Sequence, residues 1–329
     1  MAVTYKETVE DTDFEEVKNV LRIAFESGER SFENVREVFV NSNHVVFAFD
    51  DDRLIGAGRA LSDGYDWAGI YDVGLLPGYR GKGIGKELIR RLTERLKGQH
   101  VFLCSTPETV SLFEHLGFHR SKTAFTYVGE NEPENPGLFL PEGYRFEEEF
   151  YPRRPFIDNG DVKKVTDVKK VIYSKTSEGI DYGEVNEVLS KAFGGHERDV
   201  AKTKDVFVGS QKVEYAFADG KLAGVARAVT DGKEQAIILN VAVDPAYQGL
   251  KIGWNIVVKL AKQLEGYNIF LNTHPGAVGF YNRHGFRRNK TVMCYDPVQM
   301  PEEVARGFEL PVGYRFPDEY RDQGRKHVN

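Results

Sequence analysis

The feature that most constrains this chain is that it contains itself. Displaced by 168 positions, so that Gly253 falls on Gly85, the sequence lies on itself without a gap over about 125 residues. Val20-Leu21 meets Val188-Leu189, Ala24-Phe25 meets Ala192-Phe193, and Glu29-Arg30 meets Glu197-Arg198. Further on, Arg59-Ala60 meets Arg227-Ala228, Asp63-Gly64 meets Asp231-Gly232, and Gly117-Phe118 meets Gly285-Phe286. The copies also close alike, on Leu140-Pro141-Glu142-Gly143-Tyr144-Arg145-Phe146 and Leu310-Pro311-Val312-Gly313-Tyr314-Arg315-Phe316. Stacked-repeat proteins have periods of roughly 20–50 residues. A period this long means two copies of a whole domain, and 329 residues suit two domains of ordinary size. We set the copies at 1–160 and 161–329, with the linker inside 150–170.

Each copy has the same order of elements. In the first, Phe14, Val17, Val20, Leu21 and Ala24 recur at helical spacing, and a second helix is expected from Ser31 to Phe39. Strands follow at His44 to Phe49 and Arg53 to Leu61, joined by the acidic turn Asp50-Asp51-Asp52. Ile70 to Leu76 is a buried strand ended by Pro77-Gly78. After it come Arg80-Gly81-Lys82-Gly83-Ile84-Gly85 and a helix marked by Ile84, Leu88, Ile89, Leu92 and Leu96. Val101 to Ser105 is a strand, Val110 to Leu116 a short helix stopped by Gly117, and Phe125 to Val128 a last strand. Gly129 to Gly137 is loop. The order predicts an α/β (α+β) fold in which each domain is a mixed, mostly antiparallel sheet flanked by helices, with one central crossover.

The glycine-rich turn between strand and helix suits phosphate. Glycines let the backbone approach a ligand, and the first N–H groups of a helix have no partner inside it. The spacing excludes a Walker loop, because no Ser or Thr follows Lys86, and a Rossmann fingerprint, because Gly81, Gly83 and Gly85 are two apart. A turn that only packs a helix on a sheet is the structural alternative. What stands here, Arg-x-x-Gly-x-Gly after a strand, resembles the coenzyme A loop of the GNAT superfamily of N-acetyltransferases. The resemblance covers about residues 3–128 and 171–296, so the chain resembles a tandem, duplicated GNAT protein.

The resemblance implies direct transfer of an acetyl group from acetyl-CoA to a primary amine. It places the pyrophosphate on the backbone of Arg80, Gly81, Lys82, Gly83, Ile84, Gly85 and Lys86, and pantetheine on the backbone of Val73 and Leu75. It also puts a backbone N–H at the thioester oxygen. In the second copy the loop reads Gln248-Gly249-Leu250-Lys251-Ile252-Gly253, with Lys251 at the position of Gly83 and Trp254 at that of Lys86. A residue with Cβ is poorly placed for positive φ, so weak or no coenzyme binding is expected there. The family's tyrosine acid is divided the other way: Tyr281 precedes His284-Gly285-Phe286, whereas the first copy has Phe113. For the base, Asp72 interrupts the apolar run Ile70-Tyr71-Asp72-Val73, and burial is expected to raise its pKa. Asn240 replaces it in the second copy. His115 is an alternative acid or base, and Glu29 and Arg30 lie where the family lines its acceptor site. The rival function is a non-catalytic, CoA-binding or sensing tandem module; a third reading puts catalysis in the second copy.

Composition bounds the rest. A net charge of -6 excludes a general nucleic-acid footprint, and no apolar run is long enough to span a bilayer. The polar, acidic N-terminus lacks a signal-peptide core, and Cys104 and Cys294 are read as buried thiols, consistent with the cytoplasm. His196, His274 and His284 lack metal-ligand spacing, so no metal is expected. The expected partners are a small-molecule or peptide amine and no nucleic acid or membrane, in a monomer or homodimer.

Overall fold

The computed structural model describes residues 2–26, 30–128, 138–141, 143–147, 162–194, 198–296 and 302–317. The expected linker and its boundary near 160, the loop 129–137, and Glu29, Glu197 and His196 lie outside the described residues.

The first copy begins with β1 (Val3–Lys6), α1 (Phe14–Phe25) and α2 (Phe32–Val40). Asp13 caps α1 by accepting from the N–H groups of Glu15 and Glu16, and Ser31 caps α2 through Asn34 N–H. The apolar stripe of α1 then packs inward, with Phe14, Val17, Val20 and Leu21 buried. Next come β2 (His44–Asp50), β3 (Arg53–Ser62) and β4 (Trp67–Leu75). A 3-10 turn at Pro77–Tyr79 leads into α3 (Ile84–Arg95), followed by β5 (His100–Cys104), α4 (Val110–Glu114), β6 (His119–Arg120) and β7 (Ala124–Tyr127).

The second copy repeats this order. It has β8 (Val171–Ser174), α5 (Tyr182–Ala192), α6 (Val200–Val208), β9 (Lys212–Ala218), β10 (Lys221–Thr230) and β11 (Gln235–Val243). It continues with α7 (Ile252–Gln263), β12 (Asn268–Asn272), α8 (Val278–Asn282), β13 (Phe286–Arg288), β14 (Val292–Tyr295) and α9 (Glu302–Phe308). Asp181 and Asp199 cap α5 and α6 as Asp13 and Ser31 cap their counterparts.

The elements form two mixed seven-stranded sheets, ordered β1-β2-β3-β4-β5-β14-β6 and β13-β7-β12-β11-β10-β9-β8. In each, one parallel pair stands among antiparallel ones: β4 with β5, and β11 with β12. The last strand of each copy has changed sheets. β7, the expected last strand of the first copy, pairs with β12 through Phe270↔Thr126 and with β13 through Phe286↔Tyr127. β14 pairs with β5 through Cys294↔Phe102 and with β6 through Cys294↔His119. The compact units are therefore not the contiguous stretches 1–160 and 161–329. One is 1–120 with 231–234 and 291–299; the other is 121–230 with 235–290 and 300–329.

In the first unit, Met293 of β14 is fully buried in one core with Leu103, Phe118, Leu88 and Val17. In the second, Phe125 of β7 is fully buried with Ile256, Leu260, Leu271 and Phe286. The closing motifs of both copies meet in the second unit, where Leu140, Phe146, Leu310 and Phe316 form a small core. Arg288 lies over the rings of Tyr144 and Phe146, and Lys290 over Phe316.

The cysteines depart from expectation. Cys104, the last residue of β5, is exposed and Cys294 half-buried. Among the described residues, no helix is long and apolar enough to cross a membrane.

Candidate active site

The expected site gathers around β4. Its antiparallel register with β3 runs Gly56↔Leu75 and Ala57↔Gly74, then resumes at Arg59↔Tyr71. Gly58 thus faces two residues, Asp72 and Val73, in a β-bulge. Asp72 has φ +52°. Asp and Asn are the side chains that tolerate this left-handed region best after glycine. The second copy has Asn240 at φ +53°, in a bulge between Val225↔Ala242 and Arg227↔Leu239. The residue that interrupts the apolar strand is first of all a backbone device.

On its other side β4 is paired with β5 only from Trp67↔His100 to Ile70↔Leu103, although β4 continues to Leu75. The two parallel strands fork at the bulge, and main chain from Tyr71 to Leu75 lies beyond the end of that ladder. This stretch includes Val73 and Leu75.

The glycine-rich turn follows at the end of the same strand. Gly81 and Gly83 have φ +76° and +81°. Gly83 is the N-cap of α3 and gives it no side-chain cap, so the N–H groups of Ile84, Gly85 and Lys86 in the first helical turn have no partner within the helix. A Cβ placed on Gly85 would meet nothing within 4 Å. Neither φ nor crowding by the protein calls for glycine there; the position opens onto free space at a helix start, whose N–H groups and dipole are of the kind that attract anions. Lys82 and Lys86 are exposed, with Lys82 Nζ 5.1 Å from the Tyr79 ring centre. The Arg80 side chain points away from the turn and donates to the Ala24 carbonyl at the end of α1, 2.8 Å away.

The second copy keeps the shape of this turn. Lys251 takes φ +60° as the N-cap of α7, which starts at Ile252 as α3 starts at Ile84. The turn keeps its left-handed position with a side chain on it, at a strain of about 1 kcal/mol. The space differs, since a Cβ on Gly253 would lie 3.3 Å from Val243.

Asp72 sits in a charged network of the first unit. Its carboxylate accepts from Arg59 Nε at 2.5 Å and from an Arg30 guanidinium nitrogen at 3.0 Å. Arg59 also pairs with Asp231 at 2.9 Å, and both are fully buried. Arg30 holds Glu234 with two parallel hydrogen bonds, 3.1 and 2.6 Å. Burial alone would raise the Asp72 carboxyl, as the sequence suggested. The charges of Arg59 and Arg30 and their hydrogen bonds outweigh it and hold that carboxyl below its ordinary value. Glu234 is shifted the other way: burial raises its carboxyl, Arg30 pulls it down, and the Asp72 charge raises it again. In the second unit Arg227 Nε donates to Asn240 at 2.6 Å, so that counterpart has no charge at the bulge.

Tyr281 belongs to the second unit. It is buried in the core of the second unit against Phe125, Phe280 and Phe286, and burial pushes its phenol well above the ordinary value while a hydrogen bond with Thr273 lowers it. Phe113 occupies the matching core position in the first unit. His115 is exposed, with Nδ1 2.5 Å from the Ser111 carbonyl one turn back.

The structure thus brings together Asp72, Val73, Leu75 and the turn 80–86. It adds Arg59, Asp231 and Glu234, to which sequence reasoning gave no role. Two of these had left a trace, since Arg59 and Asp231 both belong to dipeptides shared by the copies.

Residues 13–118 match a family model described as "Acetyltransferase (GNAT) family", and residues 205–288 match one described as "Acetyltransferase (GNAT) domain". The chain is 32% identical over 119 residues to "Serotonin N-acetyltransferase 2, chloroplastic" of Oryza sativa subsp. japonica, covering 34% of this chain and 59% of that protein. It is 32% identical over 124 residues to the "Uncharacterized N-acetyltransferase ycf52" of Pyropia yezoensis, covering 36% of this chain and 71% of that one. The chain therefore spans about three fifths of the length of the rice relative. Among solved structures, the "Tandem GNAT protein from the clavulanic acid biosynthesis pathway" superposes over 91% of this chain and 100% of its own with a TM-score of 0.50 at 15% identity, a likeness of fold.

Proposed function

Because the chain belongs to the GNAT acetyltransferase family, and is an acyltransferase of two tandem GNAT domains, we propose that its first-copy site moves the acetyl group of acetyl-CoA directly to a primary amine. One observation carries this reading: on a single strand, the fork at the bulge is followed by an uncapped helix start facing open space. The N–H groups of the turn 80–86 bind the pyrophosphate, and the edge of Val73 and Leu75 binds pantetheine. A backbone N–H at the bulge stabilises charge on the thioester oxygen. Acetyl-CoA supplies the activated acyl group; the chain orients it and excludes water. Asp72 serves as a fixed carboxylate beside the reacting carbonyl, holding Arg30 and Arg59 in place. A cytoplasmic setting belongs to the same reading.

A second reading is favoured by Lys251, which keeps the turn in shape: a donor site also in the second unit, with Tyr281 as its acid. Calorimetric titration with acetyl-CoA separates the two. We expect one site, abolished by Gly83→Val, whose β-branched side chain cannot take φ +81° without strain. Two equal sites would replace the first reading with the second. No binding would overturn both.

A further inference from the structure

The two copies differ at the mouth of the turn that leads into the crossover helix. In the first unit a Cβ on Gly85 would meet none of the described residues within 4 Å, Lys86 is exposed, and Leu112 of α4 is 43% exposed. The counterparts in the second copy, 168 positions on, are Gly253, Trp254 and Phe280. A Cβ on Gly253 would lie 3.3 Å from Val243 Cγ2 and 3.9 Å from Phe280 Cζ. Val243 ends β11 at the position of Leu75, whose edge holds pantetheine in the site proposed for the first unit. The Phe280 ring therefore stands where strand end and helix start come together, on the path from the strand edge to the turn.

Neighbouring rings hold it there. Phe280 meets the His284 ring edge-on with centroids 4.8 Å apart, and His284 stacks on Trp254 with centroids 3.8 Å apart and planes 24° from parallel. Burial and the charge of Arg283 lower the His284 pKa, so at pH 7 it stacks as a neutral ring. Behind Phe280 the Tyr281 ring lies 5.0 Å away and nearly perpendicular, buried against Phe125 and Phe286. Aromatic pairs of these geometries are favourable beyond the area they bury, so the rings form one cluster anchored in the core. The first copy cannot build it, having Lys86, Leu112 and Leu116 in place of Trp254, Phe280 and His284.

We infer that Phe280, His284 and Trp254 are a built-in plug that keeps coenzyme out of the second unit, and that Tyr281 buttresses this plug instead of donating a proton. This rests on the coenzyme site proposed for the first unit, whose equivalent the rings fill. The turn of the second unit has the right shape, since Lys251 keeps the left-handed φ. Occupancy of the passage, and not the lost glycine, decides which unit takes the donor. The specificity lies in three side chains contributed by α7, α8 and the segment after α8.

The test gives the second unit of the full chain the residues of the first, as Trp254→Lys, Phe280→Leu and His284→Leu together, and counts acetyl-CoA sites by calorimetry. The count should rise from one to two, and Gly83→Val added to the triple variant should return it to one. Lys251→Gly alone should leave one site. A triple variant that keeps its circular dichroism and still binds one equivalent would overturn the inference. So would a second site gained by Lys251→Gly, or two sites in the wild type. A wild type that binds none beside a triple variant that binds one would remove the first-unit site and leave the plug standing. Fluorescence decides the matter even where the triple variant folds poorly. Trp67→Phe leaves Trp254 as the single tryptophan of the chain, and its emission should not change on saturation with acetyl-CoA. A change would mean that the coenzyme displaces the stack, and would overturn the plug.

Discussion

At the scale of single residues, positions 72 and 240 show how a local rule and a chemical one meet. Both have positive φ, and the sequence fills them with Asp and Asn. Only the first can hold two guanidinium groups as an ion. Arg59, wholly buried between Asp72 and Asp231, is the centre of that arrangement. Arg59→Met should cost about 3–5 kcal/mol, because it leaves buried carboxylates uncompensated; urea unfolding measures it. The Asp72 carboxyl titrates lower in the folded chain than in the unfolded one. Its stabilisation is therefore complete above about pH 5 and fades as the pH falls below roughly 4. The stability difference between wild type and Asp72→Asn should shrink over that range. Lys251→Gly should gain about 1 kcal/mol by relieving a left-handed side-chain residue, seen as a higher urea midpoint. The interruption at Asp72 was visible in the sequence, but its pKa direction was not. That direction depends on Arg30 and Arg59, which are 42 and 13 residues away along the chain.

At the scale of elements, the longer strands and all helices but α9 were legible, because periodicity and capping residues are local signals, whereas β1, β6, β8 and β13, of two to four residues each, are too short to show a period. The expected helix at 31–39 is α2, and the strand at 101–105 is β5. Strand pairing was not legible. Ala124–Tyr127 and Val292–Tyr295 are short apolar strands of the same kind in copies of the same design, so their patterns do not say which of β5 and β12 each will join. The stability consequence is specific. Phe125→Ala should cost about 3–5 kcal/mol and loosen β12 and β13, with β5 unaffected. Hydrogen exchange read strand by strand distinguishes this from the contiguous arrangement, in which β5 would lose protection.

At the scale of the molecule, the chain passes between its two compact units five times, at 120/121, 230/231, 234/235, 290/291 and 299/300. Glu234 was illegible as a first-unit residue for this reason: it reaches Arg30 across 204 positions of sequence. The same threading predicts that urea unfolds the chain in one transition by both fluorescence and circular dichroism. A fragment of residues 1–160 should not give a folded monomer, since it lacks Met293 and the turn 231–234. The exchange of β7 and β14 also bears on inheritance. After a gene duplication, one copy is ordinarily free to decay or be deleted. Here each copy holds a strand that the other's sheet requires, so the second copy can lose its own chemistry and still not be discarded. Mutation can alter the turn before α7 while its last strand remains under the selection that acts on the first.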